Sequence, residues 1–389
     1  MSAGPVHHRG SVPHEAYLGA LASLDSMGNA SLRVLLALGS PEEVWSRVRS
    51  GRLPSSVLAR LPPKARSSAA DWAAASQHID PDALWARWRS RGIGLVSIGS
   101  PSYPAILVQD PDPPVVLFHR GDLDVLGAPR VAVIGTRRAT GYGRRVAHEL
   151  GRSLALHGVC VVSGLALGID GAAHHGVVAA FDGADPLVAP VGPVAVVGGG
   201  VDAPGPATNA ALARRVVECG AVLSEAPPGT RPAAWRFPVR NRILAALASV
   251  VVVVESAHRG GSMLTVEQAQ IRDRTVLAVP GPVDSPASDG ANGLIFEGAG
   301  VCRGVDDVLM ALGLSHLDGP QRLEDHRIEP DGDAGAVLAL LGFTPVPVES
   351  LARDLGLDVA RLSVALGELE HLGWAERRGP FVERIARAS

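Results

Sequence analysis

From Val131 onward, short runs of apolar, mostly β-branched residues recur with helical segments between them, at 131 to 134, 159 to 163, 194 to 197, 221 to 224, 250 to 254 and 275 to 279. Runs of this length that are buried on both faces read as strands of a parallel sheet, because each must be followed by a crossover long enough to form a helix. The pattern predicts an α/β chain with an extended Rossmann-like, doubly wound, mostly parallel sheet. Nearly every run ends in small or polar residues: Gly135, Ser163-Gly164, Gly198-Gly199-Gly200, Ser224-Glu225, Glu255-Ser256 and Pro280-Gly281. In an open α/β sheet the carboxyl ends of the strands line the ligand crevice, and helix N-termini there present amide groups to anions.

Flanking segments follow other periods. Helical spacing in Leu18, Leu21, Leu24 and again in Leu32, Leu35, Leu36 and Leu38, a helix opened by Pro41, and packing residues Trp45, Trp72, Trp85 and Trp88 predict a small helical, SAM-like domain over 14–90. Residues 1–13 are expected to be disordered. The sheet domain is expected over 91–314, entered by an extended connector that runs from Ser100-Pro101 to Pro113-Pro114 and leads into Val115 to Phe118. A Gly-, Pro- and Ala-rich excursion spans Asp182 to Pro193, and 315–332 is a polar linker. Over 333–389 the order helix, helix, helix, strand, Gly379-Pro380, strand predicts a winged helix.

Two segments carry chemistry. Gly135-Thr136-Arg137-Arg138-Ala139-Thr140 follows the first strand of the βαβ series, and Arg236-Phe237-Pro238-Val239-Arg240-Asn241-Arg242 opens onto an apolar run. They read as two arginine-bearing loops at the sheet edge. The guanidinium fork matches phosphate oxygens and also stacks on a base, so the pair reads as a grip for nucleic acid. The formal net charge of -3 confines such a site to a local pocket. Lys64 is the sole lysine among 36 basic residues, a chain-wide bias that by itself says nothing about binding.

Other chemistries fit less well. The loop after Ile134 lacks the Gly-x-Gly-x-x-Gly spacing of dinucleotide sites, and no Gly-x-x-x-x-Gly-Lys-Ser/Thr loop occurs, so neither NAD nor ATP is expected as a cofactor. Cys160, Cys219 and Cys302 have no Cys-x-x-Cys spacing and read as buried thiols in a reducing compartment. No metal-ligand spacing appears. The longest apolar stretch, Ile243 to Val254, is too short to span a bilayer, and the N-terminus has no basic segment followed by an apolar one. A cytoplasmic protein without a membrane partner is expected. The rival that remains is an enzyme using the same crevice: Gly260-Gly261-Ser262-Met263-Leu264-Thr265-Val266-Glu267 partly matches the signature of lysine-decarboxylase-like phosphoribohydrolases, and Glu225, Glu255, Asp170 and His174 offer acids and bases. Met263 stands where that signature has a glycine, and such acids also commonly cap helices or tie loops together.

Taken in order, Gly135 to Gly143, Ser163 to Asp170 with Ala172-Ala173-His174, Ser224-Glu225, Phe237 to Arg242, Gly261-Ser262, Thr265, Ala278 to Gly281 and Asn292 to Ile295 resemble the DNA-processing protein A (DprA/Smf) family, closely over about residues 92 to 310. The resemblance implies a cytosolic homodimer that binds single-stranded DNA in natural transformation, protects it and loads the RecA recombinase, without catalysis of its own. It implies a DNA-binding set of Gly135, Thr136, Arg137, Thr140, Ser163, Gly164, Asn209, Arg236, Phe237, Arg240, Asn241, Arg242, Gly261 and Ser262.

Each residue also has a structural alternative. Arg240 or Arg242 can pair with Glu225 or Glu255, Thr136 and Thr140 can cap the following helix, and Phe237 can wedge the loop into the core. Departures from the family fall at Gly205-Pro206-Ala207-Thr208-Asn209, which lacks the usual Tyr-Pro pair, and at Asp25 to Ala30, where a Pro-Gly-x-Gly phosphate turn is absent. The third helix of the winged unit carries Arg361 and His371 but also Glu368 and Glu370, which predicts contact with protein rather than duplex DNA.

Overall fold

The structure is a computed structural model that describes residues 12–183, 189–314, 330–342 and 345–385. The expectations for residues 1–11, for 184–188 within the Asp182 to Pro193 excursion, and for most of the 315–332 linker lie outside the described residues. The chain divides into two compact units, residues 1–315 and 316–389.

In the first unit six helices come first: His14–Ala22, Asn29–Leu36, Pro41–Arg49, Ser55–Arg60, Pro63–Gln77 and Pro81–Arg89. Their starts are legible locally. Ser40 and Glu43 form a reciprocal capping box, and the Asp80 carboxylate accepts from the Asp82 and Ala83 amides ahead of Pro81. Trp45, Trp72 and Trp88 are buried; Trp85 is half-buried beneath the Arg89 guanidinium. Trp88 packs edge-on against Phe118 of the sheet with ring centroids 5.4 Å apart. The helical core therefore runs without a break into Leu165, Val197 and Val222, so no packing boundary falls at residue 90.

The sheet has nine strands: β1 (Ile93–Ser97), β2 (Val116–Gly121), β3 (Arg130–Ile134), β4 (Cys160–Ser163), β5 (Val194–Val196), β6 (Ala221–Ser224), β7 (Val250–Val253), β8 (Thr275–Ala278) and β9 (Gly300–Val301). Their order is β1-β2-β6-β5-β4-β3-β7-β8-β9. All six expected runs are parallel neighbours here, while β1 and β2 add an antiparallel edge through β6. β1 and β9 were not anticipated: Gly94 interrupts the apolar pattern of the first, and the second is two residues long. The winding reverses between β3 and β7, so the crevice of the doubly wound sheet opens there. Among the described residues no helix is long and apolar enough to cross a membrane.

The second unit places helices Gly332–Leu340, Val348–Leu355 and Val359–His371 against a small antiparallel sheet, β10 (Val346–Pro347), β11 (Ala375–Arg378) and β12 (Phe381–Arg384), in the order β10-β12-β11. Leu351, Leu366, Leu369, Trp374 and Val382 form its core. Gly356 ends the middle helix in the left-handed conformation at φ 62°, as a glycine C-cap does. This is the expected winged helix.

Candidate nucleic-acid interface

At the reversal point the loop after β3 is held by the strand beside it. The Thr136 amide donates to the Glu255 carbonyl at 2.7 Å, and a Cβ on Gly135 would fall 2.6 Å from that same oxygen. The Glu255 side chain, 1% exposed, accepts from the Thr140 amide at 2.9 Å and from its hydroxyl at 2.5 Å. Thr140 in turn caps the helix Gly141–Leu156 by accepting from the Gly143 amide at 3.1 Å. A carboxylate of the protein itself thus sits at the helix N-terminus where a dinucleotide's pyrophosphate would bind. Of the two roles weighed for Thr140, the structure places it in the capping one. The Thr136 hydroxyl accepts from the Arg138 amide at 3.2 Å.

Residues 236 to 242 form no loop. They are the first two turns of the helix Arg236–Leu247, with Pro238 third, a position where the missing amide hydrogen costs no helical bond. The helical period then sends alternate side chains to different places. Arg240 points inward, 7% exposed, and donates to the Val196 carbonyl at the end of β5 at 2.8 Å. Its guanidinium lies beside Gly164 and buried Asp170, whose carboxyl is pushed up by burial and pulled back by Arg240. Arg242 donates to the Asp112 carbonyl at 2.6 Å, pairs with the Asp112 carboxylate at 3.1 Å and pairs with Glu225. Burial pushes the Glu225 carboxyl up to about 7, with Arg242 pulling it down. From sequence both arginines were open between phosphate contact and pairing with a carboxylate, and Arg242 takes the pairing role with Glu225. Neither presents its guanidinium freely, because the helix turns both toward strand ends. Asn241 between them is also buried.

What the fold brings together at the surface is Arg137 and Phe237. The exposed Arg137 guanidinium stacks over the Phe237 ring, 4.6 Å from its centroid. Phe237 was open between core wedge and stacking partner; it is half-exposed at the rim. Beside it, the half-buried Arg236 stacks on Trp235 at 4.4 Å, and burial lowers the Arg236 pKa. Sequence reasoning passed over Trp235. Its signal was available, since an aromatic directly before a basic, helix-opening segment is a natural stacking surface.

The remaining candidates support the frame. Ser163 is fully buried and its hydroxyl donates to the Val133 carbonyl at 2.6 Å, which withdraws it from the crevice. Gly164 is packed against Arg240. The Asn209 amide donates to the Leu165 and Ala166 carbonyls at 3.1 and 3.3 Å, tying down the loop after β4. Gly261 is exposed, and the Ser262 hydroxyl donates to that of Ser256 at 2.7 Å.

The acids and base of the rival reading are each engaged by the protein or buried. Glu225 is engaged by Arg242, Glu255 by Thr140, and Asp170 lies with Arg240. His174 is fully buried; desolvation lowers its pKa to about 3, reinforced by the charge of His175. Cys160 and Cys302 are buried as expected, with burial pushing each thiol up to about 12, whereas Cys219 is only half-buried. Among the described residues no cluster of three or more His, Cys, Asp or Glu could hold a metal ion.

The family described as DNA recombination-mediator protein A matches residues 94–313, and the DprA winged helix domain matches residues 322–379. The chain is 36% identical over 303 residues to Protein Smf of Escherichia coli, covering 76% of this chain and 78% of that one. It is 37% identical over 228 residues to the DNA processing protein DprA of Bacillus subtilis, covering 58% and 74%. The X-ray structure of DNA processing protein A from Streptococcus pneumoniae superposes with a TM-score of 0.61 at 31% identity, covering 76% of this chain and 96% of that one.

Proposed function

This chain belongs to the DNA recombination-mediator protein A family, and we propose that it is a single-stranded DNA-binding protein of DNA processing in natural transformation, non-enzymatic and cytoplasmic. The observation that carries the reading is the Arg137–Phe237 stack on the crevice rim. It offers a guanidinium for phosphate and an aromatic face for a base on one exposed surface, the combination that grips a single strand without reading its sequence. Gly135, Thr136, Thr140, Ser163, Gly164, Asn209, Arg240, Asn241, Arg242, Gly261 and Ser262 act in this reading as the frame that holds the stack and lends backbone groups to the strand.

A phosphoribohydrolase-like enzyme is the weaker reading, because Glu255 occupies the helix N-terminus that would receive a nucleotide phosphate. Protection of the strand and its delivery to RecA are part of this proposal, and the family's description as recombination mediators supports the delivery. Homodimerisation is supported by exposed apolar residues on the two helices that flank β9 in sequence, Phe296 at 93% and Met310 at 65% exposure.

Fluorescence anisotropy of labelled oligo-dT and the matched duplex, titrated with salt, tests the reading. Wild type should prefer the single strand. Arg137→Ala should weaken binding and lower the salt slope by about one. Phe237→Ala should weaken it roughly tenfold at an unchanged slope, since stacking releases no counterion. Binding without strand preference, insensitive to both changes, would remove the proposal and send attention to nucleotide turnover.

A further inference from the structure

A cavity of about 670 Å³ lies between the turn joining the first two helices and the carboxyl ends of β5 and β6, within the roughly 300–1,000 Å³ usual for ligand pockets. Arg236 and Arg240 form one wall, so it adjoins the candidate interface. Val197 and Ile243 give it an apolar floor. The facing wall is the turn at Asp25 to Ala30 together with Lys64, the chain's single lysine, which is exposed. That turn is pinned: the Trp72 indole donates to the Asp25 carbonyl at 2.9 Å, and the Ser68 hydroxyl donates to that of Ser26 at 3.2 Å. Of the two acids on the walls, Glu225 is engaged by Arg242 and Asp25 accepts from Ser26 and Ser68.

Trp235 also lines this cavity, yet 58% of it stays in solvent. A large aromatic held this far out, one face on a guanidinium, keeps a flat apolar surface open to solvent. Trp235 and Phe237 are two residues apart at a helix start, so they point about 200° apart around the axis. Phe237 meets Arg137 while Trp235 meets the cavity. A strand seated on the first has the second in its path as it crosses the helix start.

We propose that the cavity takes the next stretch of the same single strand, with a base stacked on Trp235 and a backbone phosphate at Lys64, so that the N-terminal helices form one wall of the DNA path. The inference rests on the reading that Arg137 and Phe237 bind single-stranded DNA. It assigns the N-terminal unit a DNA contact although it lacks the Pro-Gly-x-Gly phosphate turn.

The test is full-length protein titrated with dT oligomers of increasing length, comparing wild type, Trp235→Ala, Trp235→Phe, Lys64→Ala and Phe237→Ala. In wild type, affinity should rise with length and then rise again once the oligomer reaches the cavity. Trp235→Ala should remove that second rise, weakening long oligomers roughly tenfold while leaving the shortest binders unchanged. Trp235→Phe should restore most of it. Lys64→Ala should lower the salt slope for long oligomers alone, by about one. Phe237→Ala should weaken all lengths. Length profiles of Trp235→Ala and Lys64→Ala that superpose on wild type would overturn the path through the cavity while leaving the first site standing. No binding of any oligomer by wild type would overturn both.

Discussion

The Arg240 guanidinium lies against the Cα of Gly164, and together with the Asp170 carboxylate it fills the space that a Cβ at that position would take. The glycine after β4 is therefore a packing requirement of a side chain on a helix more than seventy residues later. Arg240 bonds Val196 at the end of β5 from the same place, so one buried cation joins three segments of the crevice floor.

Gly164→Ala should force Arg240 out of this position. The expected cost is about 1–3 kcal/mol, the scale of overpacking in a close-packed interior. Urea unfolding read with oligo-dT affinity checks it: both should fall together, because the loop that presents Arg137 rests on this floor. Unchanged stability would mean that the guanidinium relocates freely and that the glycine is not required by packing.

Arg242 gives the opposite expectation, a stability effect that precedes any DNA effect. It joins Glu225 at the end of β6 to Asp112 in the connector, and Asp112 also pairs with Arg33 of the N-terminal helices at 3.2 Å. Removing one partner leaves Glu225 buried without its counter-charge, so Arg242→Ala should cost roughly 3 kcal/mol. Arg242→Lys should recover little, since an ammonium cannot span the Asp112 carbonyl and both carboxylates. Full stability in Arg242→Ala alongside a selective loss of DNA affinity would show that this arginine contacts the strand.

His174 should shape the acid limb of the stability curve. Among the described residues neither ring nitrogen makes a hydrogen bond of good geometry, and burial holds the imidazole neutral down to about pH 3 against a pull from the Ser163 backbone. The unfolded chain takes up this proton near 6.5 and the folded chain does not until about 3. Stability fully present above pH 6.5 is thus lost as pH falls toward 3, by up to about 1.4 kcal/mol per unit. His174→Leu keeps the volume and removes the polar atoms, so it should flatten this limb and leave stability at pH 8 equal or higher. Urea melts at pH 8 and pH 5 decide the matter; an unchanged difference between them would assign the acid sensitivity elsewhere.

Removing residues 333–389 should leave affinity for single and double strands nearly intact. On the third helix of the winged unit Arg361 is paired with Asp333 at 2.7 Å, and Arg377 on β11 is paired with Glu370 at 2.9 Å. The same helix exposes Val359 and Val364 at 79% and 71%. Neutralised cations beside exposed valines suit a protein contact better than a major groove. A large loss of duplex binding on truncation would reverse this assignment.

Much of the architecture was legible in the sequence. Strand length, the crossovers between strands, the helix opened by Pro41 and the three helices before the wing all follow from local preference and hydrophobic period, which act over a few residues and need no knowledge of the rest of the chain. The short strands β1 and β9 were missed because two to five residues broken by glycine carry too little period to read.

The site divides along the same line. Sequence supplied the residue types and their place after strand ends: arginines, a phenylalanine, glycines and threonines around one crevice. Which of them face outward was decided by tertiary structure. Pro238 reads equally well in a loop or a first helical turn, and the helix it joined turned Arg240 and Arg242 inward while leaving Phe237 at the rim. The Arg137–Phe237 stack joins positions a hundred residues apart, and Glu255 reaches the helix start at Thr140 only because β3 and β7 lie side by side. Such pairings depend on strand order and register, which a chain settles only when it closes its core, and no local period encodes them.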